Sequence, residues 1–307
     1  MRLEQLRLFT AAAECGSISE AARQVHLVQP AFSAQIKALE HDLGVMLLER
    51  NARGVTLTPA GRKLYDGALA LFRHVDQVRH ETLTAGSDLS GEVRIVLASS
   101  LAPTLSGRIF VAALAAYPNI RLSILDLLRI ASVDLITSRQ VDFGLLPNAT
   151  TLNGAITEPV LLQELYLVGR EIPGVVGDTI PFRSLQKYPL VMGGRGNQLR
   201  IDLENTAARA GYRINIVSEQ ESLSVYRSII LNGAYFTVVP YSAYAPEIKA
   251  GSLLAARIVE PTVERTSYFA WHEFSELSRP ARAVMDLLRV CIAEMIELEQ
   301  LRGRLLG

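Results

Sequence analysis

Between Ile18 and Thr58 the apolar residues twice fall into helical spacing in quick succession and then abandon it. Phe32, Ile36, Leu39 and Leu43 follow the spacing i, i+4, i+7, i+11, which lines them along one stripe of a helix. The reverse side of that helix carries Pro30, Ser33, Ala34, Lys37 and His41. Just upstream, Ala21, Ala22 and Val25 form a second stripe, whose small side chains let two helices cross closely at a steep angle. His26, Leu27 and Val28 are the turn between them, and Pro30 suits a first helical turn, where its missing N–H breaks no bond. The run from Arg50 through Asn51, Ala52 and Arg53 to Gly54 then interrupts the pattern ahead of Val55, Thr56 and Leu57, as a hairpin wing does. A helix-turn-helix with a short wing is the arrangement these residues specify, and it predicts that the second helix enters a DNA major groove. Gln29, Ser33, Gln35 and Lys37 offer donors and acceptors for base edges, with Pro30 and Ala34 on the same surface and Thr56 on the wing. Arg50 and Arg53 are placed to grip phosphates beside the groove, and Gln29 suits either task.

Charge bounds how such a head must work. From Met1 to Ser90 basic and acidic residues match one for one, and the whole chain has a formal net charge of +0. Sequence-independent affinity for DNA, which comes from neutralised phosphates, is therefore expected to be modest, and tight binding is expected to need two or more heads on one site. The means of pairing follows directly. Thr58 suits an N-cap with Pro59 at the first helical position, and helix formers continue to Gly86. Leu64, Ala68, Leu71, Val75 and Val78 alternate at spacings of four and three along this stretch, the seam by which two such helices associate.

At 307 residues the chain is too long for one small head, and its charged fraction of 20% and apolar fraction of 49% allow a sizeable second core. Past Gly91 strand-like runs (93–97, 120–125, 143–146, 165–168, 190–192, 214–217, 236–239) alternate with helical ones (103–117, 132–138, 199–210, 223–232, 280–301). That is an α/β pattern, with sheets expected to be mostly parallel. In such a fold small ligands sit beyond the carboxyl ends of the strands. Ser99, Ser100 and Leu101 follow the first strand, while a glycine-rich loop delivers Arg195, Asn197 and Arg200 near another helix start; a carboxylate or other anion would suit both groups. A plain capping turn is the lesser alternative for Ser99 and Ser100, and the two arginines equally suit plain surface charges.

Other chemistries find little support. No Gly-x-Ser-x-Gly elbow is present, His272 has no visible nucleophile, and the segment from Gly194 to Leu199 lacks the third glycine of a dinucleotide fingerprint. The histidines occur singly, and Cys15 and Cys291 stand far apart in helical surroundings, so we expect no metal, no cofactor, no disulfide and no enzymatic activity. No apolar run approaches a membrane span and the first residues lack a signal peptide's apolar core, so the expected location is the cytoplasm.

The head resembles the LysR-type transcriptional regulators. Leu6, Phe9, Ala21-Ala22, Gln29-Pro30-Ala31, Ser33, Ile36, Leu39-Glu40, Leu43-Gly44, Leu47, Arg50 and Thr58-Pro59-Ala60-Gly61 stand at that family's spacing. Two positions depart from it: Val28 replaces the usual Ser or Thr cap of the recognition helix, and Ala34 replaces a common Arg. The resemblance implies a winged helix-turn-helix domain at 1–58, a dimerisation helix at 59–87 and a periplasmic-binding-protein-like effector domain at 91–302. Lobe 1 of that domain would span about 91–161 and 268–302, and lobe 2 about 162–267, with crossings near Val160 to Glu164 and Thr266 to Trp271. It also implies tetramers built through effector-domain contacts, a pseudo-palindromic DNA site, and RNA polymerase as a further candidate partner. The segment from Gly194 to Arg200, with Leu203-Glu204 and Ala210-Gly211, is similar to the nitrogen-assimilation-control subgroup. That leaves a second reading open, in which the regulator needs no effector and its C-terminal domain serves assembly alone.

Overall fold

The computed structural model describes residues 1–51, 54–83, 89–127, 129–150, 152–175 and 177–306. Arg53 and the expected boundary at 86–88 lie outside the described residues, as does the side chain of Arg50. The chain divides into two compact units, Met1–Ser87 with Ser138–Gln140, and Asp88–Thr137 with Val141–Gly307.

The first unit runs α1 (Leu3–Cys15), α2 (Ile18–Gln24), α3 (Gln29–Leu43), β1 (Leu48–Asn51), β2 (Gly54–Leu57) and α4 (Pro59–Leu83). Leu8, Phe9 and Ala12 of α1, Ala21 and Ala22 of α2, and Phe32, Ile36 and Leu39 of α3 form one buried cluster closed by Leu47, Leu48 and Val55. Leu43, expected to extend the α3 stripe, is instead 38% exposed. The helix stops there, because Gly44 turns left-handed (φ 68°) and donates its N–H back to the carbonyls of Glu40 and His41. Glu40 takes the buried place instead, its Oε1 accepting from the backbone N–H groups of Leu47 at 2.9 Å and Leu48 at 3.2 Å. A buried carboxylate is tolerable only with such donors, and these two fix the wing strand to the recognition helix.

β1 and β2 pair antiparallel, Leu48 opposite Leu57 and Asn51 opposite Gly54. The wing returns to the helices through Val55, whose N–H reaches the carbonyl of Gly16 at 2.8 Å. Gly54 (φ 129°) permits that approach, since a Cβ there would lie 2.1 Å from the same carbonyl oxygen. Thr58 caps α4 by accepting from the Gly61 N–H at 2.9 Å and anchors it by donating to the Met46 carbonyl at 2.8 Å.

The second unit contains β3 (Gly91–Ala98), α5 (Ala102–Ala116), β4 (Ile120–Leu127), α6 (Arg129–Thr137), β5 (Phe143–Pro147), β6 (Ala155–Gly169), β7 (Thr179–Pro181), β8 (Leu190–Met192), α7 (Gln198–Arg209), β9 (Ile216–Glu219), α8 (Leu223–Asn232), β10 (Thr237–Pro240), α9 (Ala245–Lys249), β11 (Leu254–Val259), β12 (Glu264–His272), α10 (Arg279–Glu297) and β13 (Arg304–Leu305). Two lobes are built on this chain. In lobe 1 the parallel strands β4, β3 and β5 carry α5 and α10 on one face, around Ile95, Leu105, Phe143, Leu145 and Leu288. α6 covers the other face, with Val96, Ile136 and Leu146 buried there. Lobe 2 has two cores, one around Leu165, Phe182, Leu190 and Leu203 and one around Val168, Val191, Ile230 and Tyr244.

The lobes are joined by antiparallel pairing rather than by the parallel sheets the strand–helix alternation suggests. β6 runs fifteen residues, and β12 pairs with it from Glu264 opposite Glu164 to His272 opposite Ala155. β10, β11 and β13 also meet β6 antiparallel. Parallel pairing survives where each strand is followed by its own covering helix, in β4-β3-β5 and in β8 with β9. After α10 the chain turns back, Leu301 enters the lobe 1 core, and the Arg302 guanidinium sits 4.1 Å from the centroid of the Tyr241 ring.

Candidate functional site

Three faces carry the chemistry. The first is the outer surface of α3. Gln29, Pro30, Ala34 and Lys37 are exposed and Ser33 is half-buried, while Phe32, Ile36 and Leu39 lie on the inner side. No side chain caps the helix at Val28, yet Ser19 of α2 donates to Gln29 Oε1 at 3.0 Å and thereby orients the first groove-facing side chain. Thr56 is exposed on β2.

The second face belongs to α4. Leu71 and Val78 are 39% and 49% exposed and Val75 is half-buried, a seam open along the middle of the helix. Its first members differ from expectation. Leu64 packs on the head's own core and Ala68 is buried within the single chain, because the opening turns of α4 lie against α1. They have little surface left for a partner.

The third face lies between the lobes, and here the structure regroups the expected residues. Ser99 and Ser100 follow β3 in a turn, as the sequence suggests, and are half-buried. Leu101 is 0% exposed within the lobe 1 core and cannot touch a ligand. Arg200 is likewise consumed: Nε donates to Glu204 at 3.0 Å, while Nη1 pairs with Glu219 at 2.8 Å and donates to the Gly193 carbonyl at 3.1 Å. Hydrogen bonds that it donates to Glu219 and Glu204 hold that guanidinium above its ordinary range, and Glu219 is held below its own by the same pairing. Asn197 is the N-cap of α7, accepting from the Arg200 N–H at 3.3 Å, and Arg195 is exposed. Asn197 and Arg200 thus spend their polar groups within lobe 2, and Arg195 faces solvent.

Ser100 meets a residue the sequence did not point to. Arg265 of β12 is 6% exposed and its Nη2 donates to Ser100 Oγ at 2.9 Å. Burial pulls its guanidinium down to about 10, so it remains charged at neutral pH. Beside it, Gln163 Nε2 donates to Ser242 Oγ at 3.1 Å, and Thr104 Oγ1 of α5 donates to the Ser242 carbonyl at 2.8 Å. On the alternate face of β12, Glu264, Thr266 and Tyr268 line an open cavity of about 400 Å³ with Asn148, Thr150, Gln198 and Asp202. Asn148 Nδ2 bridges the lobes there by donating to Asp202 Oδ2 at 3.0 Å. This cavity carries carboxylates and no arginine or lysine among its lining residues, the reverse of what Arg195 and Arg200 were expected to bring. Among the described residues no group of three or more His, Cys, Asp or Glu side chains could hold a metal ion, and no helix is long and apolar enough to cross a membrane.

A winged helix-turn-helix reader joined to a two-lobed ligand-binding fold defines a class of bacterial gene regulators. Residues 3–62 match the bacterial regulatory helix-turn-helix protein, lysR family, and residues 86–290 match the LysR substrate binding domain. The chain belongs to the LysR family of DNA-binding transcription regulators, which are oligomeric proteins and not enzymes. It is 28% identical to the nitrogen assimilation regulatory protein nac of Klebsiella aerogenes over 94% of both chains. With the dual regulator OxyR of Escherichia coli K12 the identity is 26%, over 93% of this chain and 96% of that one. Full-length CbnR complexed with its target DNA shares the fold at 24% identity and a TM-score of 0.70, over 95% of this chain and 100% of that one.

Proposed function

We propose that this regulator pairs through the open α4 seam, presents two α3 helices to a pseudo-palindromic promoter site, and changes its grip on DNA when a small molecule binds between the lobes. The observation carrying the DNA reading is the two-sidedness of α3, with Phe32, Ile36 and Leu39 sealed inward and Gln29, Pro30, Ser33, Ala34 and Lys37 turned out. Thr56 lies on the wing; Arg50 and Arg53 we assign to phosphates from the sequence. Half-sites about one helical turn of DNA apart, or a multiple of it, follow from the two-fold pairing. The protein works in the cytoplasm, where its DNA target is, as a dimer or a tetramer assembled through effector-domain contacts, with RNA polymerase as a further partner.

This assignment separates two groups of variants. Substituting Ser33 or Gln29 should relax preference among related sites by about 1–3 kcal/mol at the position each reads. Arg53→Ala should weaken binding to all sites alike and lower the salt slope by about one. Gel shifts on matched and mismatched operators across a salt series measure both, and equal losses on every site for all three variants would contradict the division of labour.

Support for an effector lies in the cavity beside Asn148 and Asp202, at the carboxyl ends of the lobe 1 strands. A ligand there acts only by preferring one arrangement of the lobes, and couplings of about 1–3 kcal/mol are typical. The second reading, assembly without an effector, draws on the bridges Asn148–Asp202 and Thr104–Ser242, which tie the lobes through the chain's own side chains. Operator gel shifts and thermal unfolding with and without small metabolites distinguish the two. A melting shift with altered operator affinity supports the first, and silence across acids, amines and neutral compounds supports the second.

A further inference from the structure

The hydroxyl of Ser19 does no work inside its own helix. Ser17 already caps α2 by accepting from the Glu20 N–H, and Glu20 and Arg23 pair with each other. A serine in a first helical turn commonly bonds the backbone beside it. Ser19 instead reaches across the turn of the motif and donates to Gln29 Oε1 at 3.0 Å. Both residues are exposed, so the bond adds little to the stability of the head. Its effect falls on the conformation of Gln29. Val28, at the cap position of α3, is 71% exposed and has no polar side-chain atom to compete for the amide. Gln29 has no other side-chain bond among the described residues, so Ser19 alone decides which end of the amide faces away from α2.

A glutamine amide free to turn can show a base its oxygen, its nitrogen or both, and with both it matches adenine, which offers the N6 donor and the N7 acceptor. With Oε1 accepting from Ser19, the end left for the groove is Nε2, whose two N–H groups only donate. We propose that Ser19 is a positioning residue for base recognition: it holds Gln29 as a donor, so that the base read at that place is one presenting acceptors. Guanine does so through N7 and O6, and thymine through O4. Adenine and cytosine are disfavoured, because their amino groups would meet the amide donor to donor, leaving N–H groups desolvated and unpaired. Pro30 and Ala34, exposed on the same helix, offer no donor to such a base but can lie against the thymine methyl. The assignment rests on the groove-facing reading of α3 given above. Ser19 itself need not touch DNA.

The test uses the full-length protein and duplexes it selects from a randomised pool. All four bases are then placed in turn at each position of the selected half-site, and gel shifts at one salt concentration give the affinities of the parent, Ser19→Ala, Ser19→Thr and Gln29→Ala. The position that Gln29 reads is the one flattened in Gln29→Ala. There the parent is expected to favour guanine or thymine over adenine and cytosine by about tenfold. Ser19→Ala should cut that preference to about threefold or less, mainly because adenine gains once the amide can turn, while the other positions and the thermal unfolding of the head stay as in the parent. Ser19→Thr keeps the hydroxyl and should restore the parent's ranking. Three results overturn the inference: a parent that prefers adenine or cytosine at that position, a Ser19→Ala variant with the parent's ranking, or one that loses affinity evenly for every site. If Gln29→Ala flattens no position, Gln29 does not read a base, and the groove assignment of that residue falls together with the role of Ser19. Flattening by Gln29→Ala without any change in Ser19→Ala leaves the groove assignment standing and removes Ser19 alone.

Discussion

Phe32→Ala is expected to abolish operator binding and to destabilise the head by about 3–5 kcal/mol, a large share of the stability of any small domain. Phe32 is 0% exposed and sits where α1, α2 and α3 converge, so its ring cannot be replaced by solvent or by relaxation of one neighbour. The second unit has its own cores and should unfold as before. Calorimetric or chemical unfolding should therefore show an early head transition in the variant and an unchanged transition for the remainder. Ser33→Ala, one residue along the same helix, is the control; it should move stability by less than about 0.5 kcal/mol. An unaltered head transition in Phe32→Ala would mean that α3 is not docked as described.

A second large effect is expected from Leu71→Asp combined with Val78→Asp. Both side chains are open to solvent in the single chain, and both lie on the α4 seam. Placing charges there should yield monomers by sedimentation equilibrium with unchanged helical content. Operator affinity should fall by about 10²–10⁴-fold, the range over which linked heads gain from engaging one site together. The balanced charge of the head makes the drop steep, since no excess of lysine and arginine remains to hold a lone head on the duplex. A double variant that stays dimeric, or a monomer that retains full affinity for the intact site, would exclude α4 as the pairing element.

The head was nearly complete in the sequence because its signals are local. Caps, a first-turn proline and an i, i+4, i+7 stripe act within one helix, and α3 begins and ends where those signals place it. Glu40 was the exception among them. Its burial depends on the backbone of Leu47 and Leu48 arriving beside it, which no helical period reports. In the second unit the strand–helix alternation located most elements to within a few residues, yet it missed β11 and caught β6 only near Leu165, while β12 was expected only as the crossing near Thr266 to Trp271 that the family resemblance implies. Pro159 breaks the pattern of β6 at the point where the pairing with β12 shifts register after Ser267. The site suffered more than the fold. Arg265 and Ser267 alternate with Thr266 and Tyr268 along one strand, and nothing local tells which pair faces inward; that is decided by α5 and by strands far away in sequence. Arg200 misled although one partner, Glu204, stands a single turn along its own helix, because the other, Glu219, arrives on β9.

The continuous ladder between β6 and β12 has a mechanical corollary. Domains linked by slack loops swing like doors, but here nine register pairs carry the connection straight through the junction. Reorienting one half against the other therefore means wringing a two-stranded ribbon about its long axis, with the irregular step after Ser267 as the place where that torsion concentrates. Such a device yields a small, stiff rotation of one lobe against the other instead of an opening and shutting.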